Sequence, residues 1–395
     1  MTTVSTPSGL IGTGWMDPRA GREGPRPVRR ASTLASVPGA AWILASLLVL
    51  HACSGGAETN ASRETPPLTQ LPSEPSDSFV AADSAQLMSE LRFLSSDSLE
   101  GRRTGEPGNA LAREFIRSAF RDAGLHEPPG GFVQPFEFRG RGAPAEVTHA
   151  ANVVGFLPGR DPSLGAIVIT AHFDHLGVRA PRPGTPEAAL GDSIFNGADD
   201  NGSGTVALLS IARYMARNQP RHTLVFAALD GEEVGLRGAR AFMETGWPDE
   251  IVLNVNLDMV SRSDSLLFVA GPFHYPRLRP ILETVPARPP VVLRFGHDQP
   301  GVNGVDDWTG SSDHRVFHEE GIPFVYFGVE DHEDYHRPTD EFARVDPTFF
   351  VNAIRTILAG VLALDEHLAP AGSGTPGAGE GPGEPVEQEG EIDGG

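Results

Sequence analysis

The chain has 395 residues, a formal net charge of −21 and one cysteine. No lysine occurs in it, which excludes Walker-type phosphate loops and Schiff-base catalysis; Cys53 lies outside the patterned region, which excludes disulfides within the fold and a thiol nucleophile. An acidic balance offers no basic surface to a phosphate backbone, so no nucleic-acid partner is expected.

Residues 1–80 and 370–395 are rich in Pro, Gly, Ser, Thr and Glu and, one apolar run apart, lack periodicity. Such stretches bury too little apolar surface to offset ordering entropy. Arg26, Arg29 and Arg30 precede the apolar run Gly39 to Leu50, and His51-Ala52-Cys53 follows, the layout of a secretory signal. The run is too short to span a ~30 Å hydrocarbon core. Leu50-His51-Ala52-Cys53 resembles a bacterial lipoprotein box, with His51 an unusual occupant. The expectation is a signal or lipoprotein segment at 1–53, a disordered tether at 54–80, a folded domain at 81–369 and a disordered acidic tail at 370–395. The protein is then exported, to the cell envelope or secreted, and touches a membrane only through a lipid on Cys53.

Along the domain, Asn109 to Asp122 reads as a helix with Leu111, Phe115, Ile116, Ala119 and Phe120 apolar and Gly124 as its stop. Leu164 to Thr170 is a near-continuous apolar run, the mark of a strand buried on both faces. Thr205 to Arg217 reads as a helix, and His222 to Leu229, Ile251 to Leu257 and Pro323 to Gly328 as further buried strands. Asp346-Pro347 opens a last helix with Phe349, Ile354, Ile357, Val361 and Leu364 on one side. Residues 176–192 and 288–311 read as long loops. The alternation implies a single α/β catalytic domain, a mostly parallel twisted sheet with helices on both faces. In such sheets ligands bind beyond the carboxyl ends of the strands.

Those ends carry an unusual set of side chains. The first strand runs into His172-Phe173-Asp174-His175, the second into Asp230-Gly231-Glu232-Glu233, the third into Asp258, and the fourth is followed by Asp334-Tyr335-His336. Residues two apart on extended chain share a face, so His172 and Asp174 point the same way. Between the first two lies the polar, glycine-rich loop 196–204, containing Asp199 and Asp200. Each group alone is as easily a cap or turn residue. Their recurrence at successive strand ends points to a shared site, and two imidazoles with three carboxylates suit a pair of zinc ions.

These motifs resemble the co-catalytic di-zinc aminopeptidase family, which includes bacterial secreted leucyl aminopeptidases, aminopeptidase Y and glutamate carboxypeptidase II. The resemblance runs from Leu94-Ser95-Ser96-Asp97-Ser98-Leu99-Glu100-Gly101-Arg102 through the final helix. It implies two Zn²⁺ per chain, with His172 and Asp258 on one, Glu233 and His336 on the other, and Asp200 bridging. It further implies Glu232 as general base toward a metal-bridging water, Asp174 orienting His172, Tyr335 bonded to the developing oxyanion, and a cis peptide between Asp200 and Asn201. The implied activity is that of an exopeptidase acting on peptides, in most bacterial relatives an aminopeptidase; carboxypeptidase and dipeptidase members share all five ligands. Glutaminyl cyclases resemble the family but use one zinc, and a binding domain that had lost the chemistry is expected to lack the base or a ligand. Ser312-Asp313-His314 and Gly321-Ile322-Pro323 also match, without an assigned role.

His332-Glu333-Asp334-Tyr335-His336 spells the H-E-x-x-H signature of single-zinc proteases. That motif works only on a helix. Here it follows a strand, and Pro338 opposes a continuing helix, so His332 and Glu333 are expected to be loop residues.

Overall fold

The computed structural model describes residues 77–140, 146–180, 184 and 191–369. The stretch read as a signal or lipoprotein segment with Cys53, residues 54–76 and the stretch read as an acidic tail lie outside the described residues. Helix α1 (Asp77–Leu94) begins inside the stretch read as tether, and its Leu87, Leu91 and Leu94, all buried, recur at helical spacing.

The remaining helices are α2 (Pro107–Ala123), α3 (Gly204–Arg217), α4 (Arg237–Glu244), α5 (Arg279–Leu282), α6 (His314–Glu319) and α7 (Pro347–His367). The strands are β1 (Val133–Arg139), β2 (Val147–Leu157), β3 (Ala166–His172), β4 (Gly177–Val178), β5 (Ile194–Phe195), β6 (Thr223–Leu229), β7 (Ile251–Leu257), β8 (Leu266–Ala270), β9 (Val292–Phe295) and β10 (Phe324–Gly328). Eight of them form one sheet in the order β1-β2-β6-β3-β7-β10-β8-β9, and β4 and β5 make a separate short hairpin.

The four strands read from apolar runs are the sheet's centre, β6-β3-β7-β10, and all pair in parallel. Every residue of β3 is buried, with Ala166 and Val168 facing one core and Ile167, Ile169 and Ala171 the other. This two-sided burial explains why these strands lack polar alternation. The flanks are antiparallel at β1–β2, β2–β6 and β8–β10. Strand β1 contains Pro135, tolerated because β1 is an edge. Residues 288–311 are not wholly a loop: β9 lies within them and extends the sheet by parallel pairing with β8.

Helices α1, α2, α3, α5 and α7 cover one face, and α4 and α6 the other, where Phe242 and Phe317 pack with ring centroids 6.0 Å apart. Asp346 caps α7 by accepting from the Thr348 and Phe349 N–H groups at 2.8 and 3.2 Å. Helix α7 is long and apolar enough to cross a membrane, but Phe349, Ile357, Val361 and Leu364 are buried in the core.

Candidate metal centre

Because β6, β3, β7 and β10 are adjacent and parallel, their carboxyl ends open on one rim. His172 is the last residue of β3, Glu232 and Glu233 follow β6, Asp258 follows β7, and the loop after β10 carries Tyr335 and His336. Asp200 comes from the irregular turn Ala198–Ser203 that leads into α3.

The structure brings all five residues expected as ligands together. Asp200 presents Oδ1 to His172 Nε2 at 3.4 Å and Oδ2 to His336 Nε2 at 3.2 Å. His172 Nε2 lies 3.3 Å from Asp258 Oδ1, and His336 Nε2 lies 3.4 Å from Glu233 Oε2. A residue singled out for no role also enters: buried His175 has Nδ1 2.7 Å from Glu233 Oε1 and 3.7 Å from Asp200 Oδ2. Donor atoms of His172, Asp200 and Asp258, and of His175, Asp200 and Glu233, each lie within 4.8 Å of one another. Asp258 Oδ1 and Glu233 Oε1 are buried without a hydrogen-bond donor. Orphaned, buried carboxylate oxygens facing imidazole nitrogens fit a cation of borderline softness such as zinc.

The turn bearing Asp200 is fixed from several sides. Asp340 accepts from the Asp199 and Asp200 N–H groups, at 3.0 and 3.1 Å to Oδ2. Asn201 Nδ2 donates to the Leu257 carbonyl at 2.9 Å, one residue before Asp258. The Asp200-Asn201 peptide is cis. Gly197 stands at φ +55, and a Cβ there would fall 2.1 Å from the Asp200 carbonyl oxygen and 2.6 Å from the His175 ring. Neighbouring Asp199 is committed elsewhere: its Oδ1 accepts from the Ser261 N–H and hydroxyl, both at 2.7 Å, and Oδ2 faces His332 Nε2 at 3.1 Å. His332 is thus in a loop but ties the His336 segment to the Asp200 turn, helped by Arg262 at 2.6 Å from Asp334 Oδ2. In H-E-x-x-H the two histidines serve different partners here.

Asp174 is fully buried and works mainly on the glutamates. Its Oδ1 accepts from the Glu232 N–H at 3.0 Å and Oδ2 from the Glu233 N–H at 3.3 Å. Its carboxylate lies 3.8 Å from His172 Nδ1, beyond hydrogen-bond reach, whereas its carbonyl oxygen lies at 3.2 Å. The Tyr335 ring stacks on His336 with centroids 3.9 Å apart.

Burial alone would lower the His172 imidazole, but Asp258, Glu232 and Asp200 raise it well above its ordinary value. Burial raises Glu232 well above the usual carboxylate range, His172 opposing and Asp313, Glu233 and Asp258 reinforcing. Asp200 is held below its ordinary range despite burial, by His175, His336 and His172. Asp313 is wholly buried, both its carboxylate oxygens lack donors, and burial pushes it to about 7.

The centre lines a cavity of about 430 Å³ whose other walls include Met259, Asp306, Trp308, Tyr326, Val329 and Asp331. Asp306 and Trp308 come from 288–311, one of the two stretches read as long loops. Ser311 lines the cavity, and its neighbour Ser312 accepts from Asn256 at 2.9 Å. Isolated aromatic and hydroxyl residues in a loop carry no sequence signal that would have found them.

The family profile described as Peptidase family M28 matches residues 152–361, which contain every residue of the centre. A vacuolar membrane protease of Eremothecium gossypii is 34% identical over 109 residues, 28% of this chain and 9% of that protein, so the chain spans about a tenth of that relative's length. Among solved structures, a zinc aminopeptidase from Bacillus subtilis superposes with a TM-score of 0.54 at 17% identity, covering 74% of this chain and 96% of that one. The glutaminyl cyclase of Fimbriiglobus ruber gives 0.55 at 17% identity, covering 71% and 95%. Likenesses at that identity speak to the fold; the profile, which spans over half of the chain and all four central strands, speaks to descent. The chain belongs to peptidase family M28 and is a metallopeptidase.

Proposed function

We propose that the protein is a zinc-dependent aminopeptidase that holds two zinc ions between His172 and Asp258, Glu233 and His336, with Asp200 shared. The observation that carries this reading is the Asp200 carboxylate, whose two oxygens face imidazoles from opposite sides at 3.4 and 3.2 Å. When bound, the zinc pair would supply an acidified water and a Lewis acid for the scissile carbonyl. Glu232 takes up the water's proton and returns it to the leaving amine, and its raised pKa suits a carboxyl that must do both. The Tyr335 hydroxyl donates to the developing oxyanion; burial, with Asp200 and Asp258 nearby, keeps the phenol protonated. Asp174 fixes the Glu232 main chain and so the aim of the base.

The choice of peptide end follows from charge. Among the described residues the cavity lining contains Asp306 and Asp331 beyond Glu232 and the five metal-facing groups, with no arginine, and the chain has no lysine. A substrate's terminal carboxylate would find no cationic side chain among those described lining residues, whereas an α-ammonium group meets carboxylates.

The test is zinc-loaded protein incubated with aminoacyl anilides, free and N-blocked peptides and a peptide beginning with glutamine, with products identified by mass. Release of the first residue from free peptides only, with two zinc ions per chain, is expected. Glu232→Gln should lower turnover by about 10²–10⁴-fold with zinc content unchanged. One zinc with a pyroglutamyl product would point to a cyclase, and release of the last residue to a carboxypeptidase. The export read from residues 1–53 belongs to the same proposal and is checked by fractionating cells that express the full chain or its Cys53→Ser variant.

A further inference from the structure

The segment Asp97–Arg102 takes no part in the reaction as described, yet its backbone is strained. Glu100, Gly101 and Arg102 follow one another at φ 47, 66 and 50. For a non-glycine residue the left-handed region costs of the order of 1–2 kcal/mol, so Glu100 and Arg102 hold an unfavourable conformation that the surroundings must enforce. The segment is tightly seated, since a Cβ on Gly101 would fall 2.4 Å from the Phe195 carbonyl oxygen. The result is to drive the Arg102 side chain inward until it is 1% exposed.

There the guanidinium meets carbonyls rather than a carboxylate. Nε donates to Phe173 at 2.8 Å, Nη1 to Asn196 at 2.6 Å and to Leu94, and Nη2 to Gly197 at 3.0 Å. Phe173 separates His172 from Asp174, and Asn196 and Gly197 lead into the turn that carries Asp200. The Arg102 carbonyl in turn accepts from Asn109 Nδ2 at 3.1 Å and from the His175 N–H at 3.4 Å. Burial lowers the guanidinium to about 10, still charged at neutral pH, with Asp200, Asp340, Asp174 and Glu233 favouring the charge. A buried cation without a directly bonded anion is an expensive way to fill space. Three of its four bonds reach the segments that carry the metal-facing groups, and the fourth ties them to the end of α1 at Leu94.

We propose that Arg102 is a positioning residue of the metal centre, holding the His172–Asp174 strand end and the Asp200 turn at their working separation before metal arrives. This rests on the reading of His172 and Asp200 as ligands. Zinc affinity is measured by competition with a chromophoric chelator for the wild type, Arg102→Lys and Arg102→Gln, with circular dichroism and melting curves alongside. Both variants should bind zinc about 10–100-fold more weakly, the range seen when groups that orient metal ligands are removed. Phe242→Ala, which opens a cavity on the sheet's opposite face, should lower the melting temperature while leaving zinc affinity unchanged. Wild-type affinity in a folded Arg102 variant overturns the proposal, as does an equal loss in Phe242→Ala. Should both Arg102 variants fail to fold, Asn109→Ala, which loosens the Arg102 main chain, decides: weaker zinc binding supports the role and wild-type affinity overturns it. A wild-type protein that binds no zinc would instead remove the reading of the ligands themselves.

Discussion

Replacing Asp313 by asparagine should change the protein's stability by an amount that depends on pH. Asp313 is fully buried, its two oxygens have no donors, and its pKa rises from 3.8 to about 7. A carboxyl raised in the folded state contributes stability that is fully present below the unfolded value of 3.8 and is lost as pH rises through about 7. At about 1.36 kcal/mol per unit the wild type forgoes roughly 4 kcal/mol by pH 8 but only roughly 2 kcal/mol at pH 5. Asparagine escapes this loss and brings a pH-independent offset from its own unpartnered amide, on the order of 1–3 kcal/mol. The variant should therefore gain about 2–3 kcal/mol on the wild type between pH 5 and pH 8, whatever the offset. For a folded region of roughly 290 residues, with unfolding entropy of about 2.1 cal/mol/K per residue, this is about 4 °C in relative melting temperature. The assay is thermal unfolding of both chelator-treated proteins across that pH range. A melting-temperature difference that stays constant from pH 5 to pH 8 would refute the argument.

Removing metal should abolish hydrolysis and lower the melting temperature, because carboxylates and imidazoles packed at 3.2–3.4 Å lose their shared cation; zinc added back should restore both, as read by calorimetry and turnover. Gly197→Ala should cost more than about 1 kcal/mol and weaken zinc binding, since the new methyl group meets the Asp200 carbonyl and the His175 ring at a left-handed φ. Wild-type zinc titration of that variant would contradict this. Asp346→Ala removes the acceptor for two N–H groups at the start of α7 and should cost about 1 kcal/mol, seen as a drop of 1–2 °C in melting temperature, with kcat unchanged.

The sheet's centre was legible because burial on both faces leaves an unbroken apolar run, as in Ile167-Val168-Ile169, and because strand ends in a parallel sheet converge. That geometry explains why residues as distant in sequence as His172 and His336 could be read as one site. The flanking strands were not legible: β1 mixes Gln134, Glu137 and Arg139 with its aromatics, and β9 is four residues inside a polar stretch. Arg102, His175 and the Asp199–His332 pair were passed over for a different reason. Their meaning lies in what they touch, and a single arginine after a turn looks the same in sequence whether it points outward or supports a buried loop. The choice of Asp200 over Asp199 came from the family resemblance, and the structure adds a reason: Asp199's oxygens already have partners, whereas Asp200's face the imidazoles.

One part of the cavity's wall and its floor come from different parts of the sheet. The floor is anchored by the four parallel strands with cores on both sides, while Asp306 and Trp308 arrive from the chain that leaves β9 at the margin. Insertions or exchanges along that margin would reshape what the enzyme admits without disturbing the groups beneath. An evolving lineage, or an engineer, could therefore retune selectivity by editing one peripheral stretch while the reaction itself stayed intact.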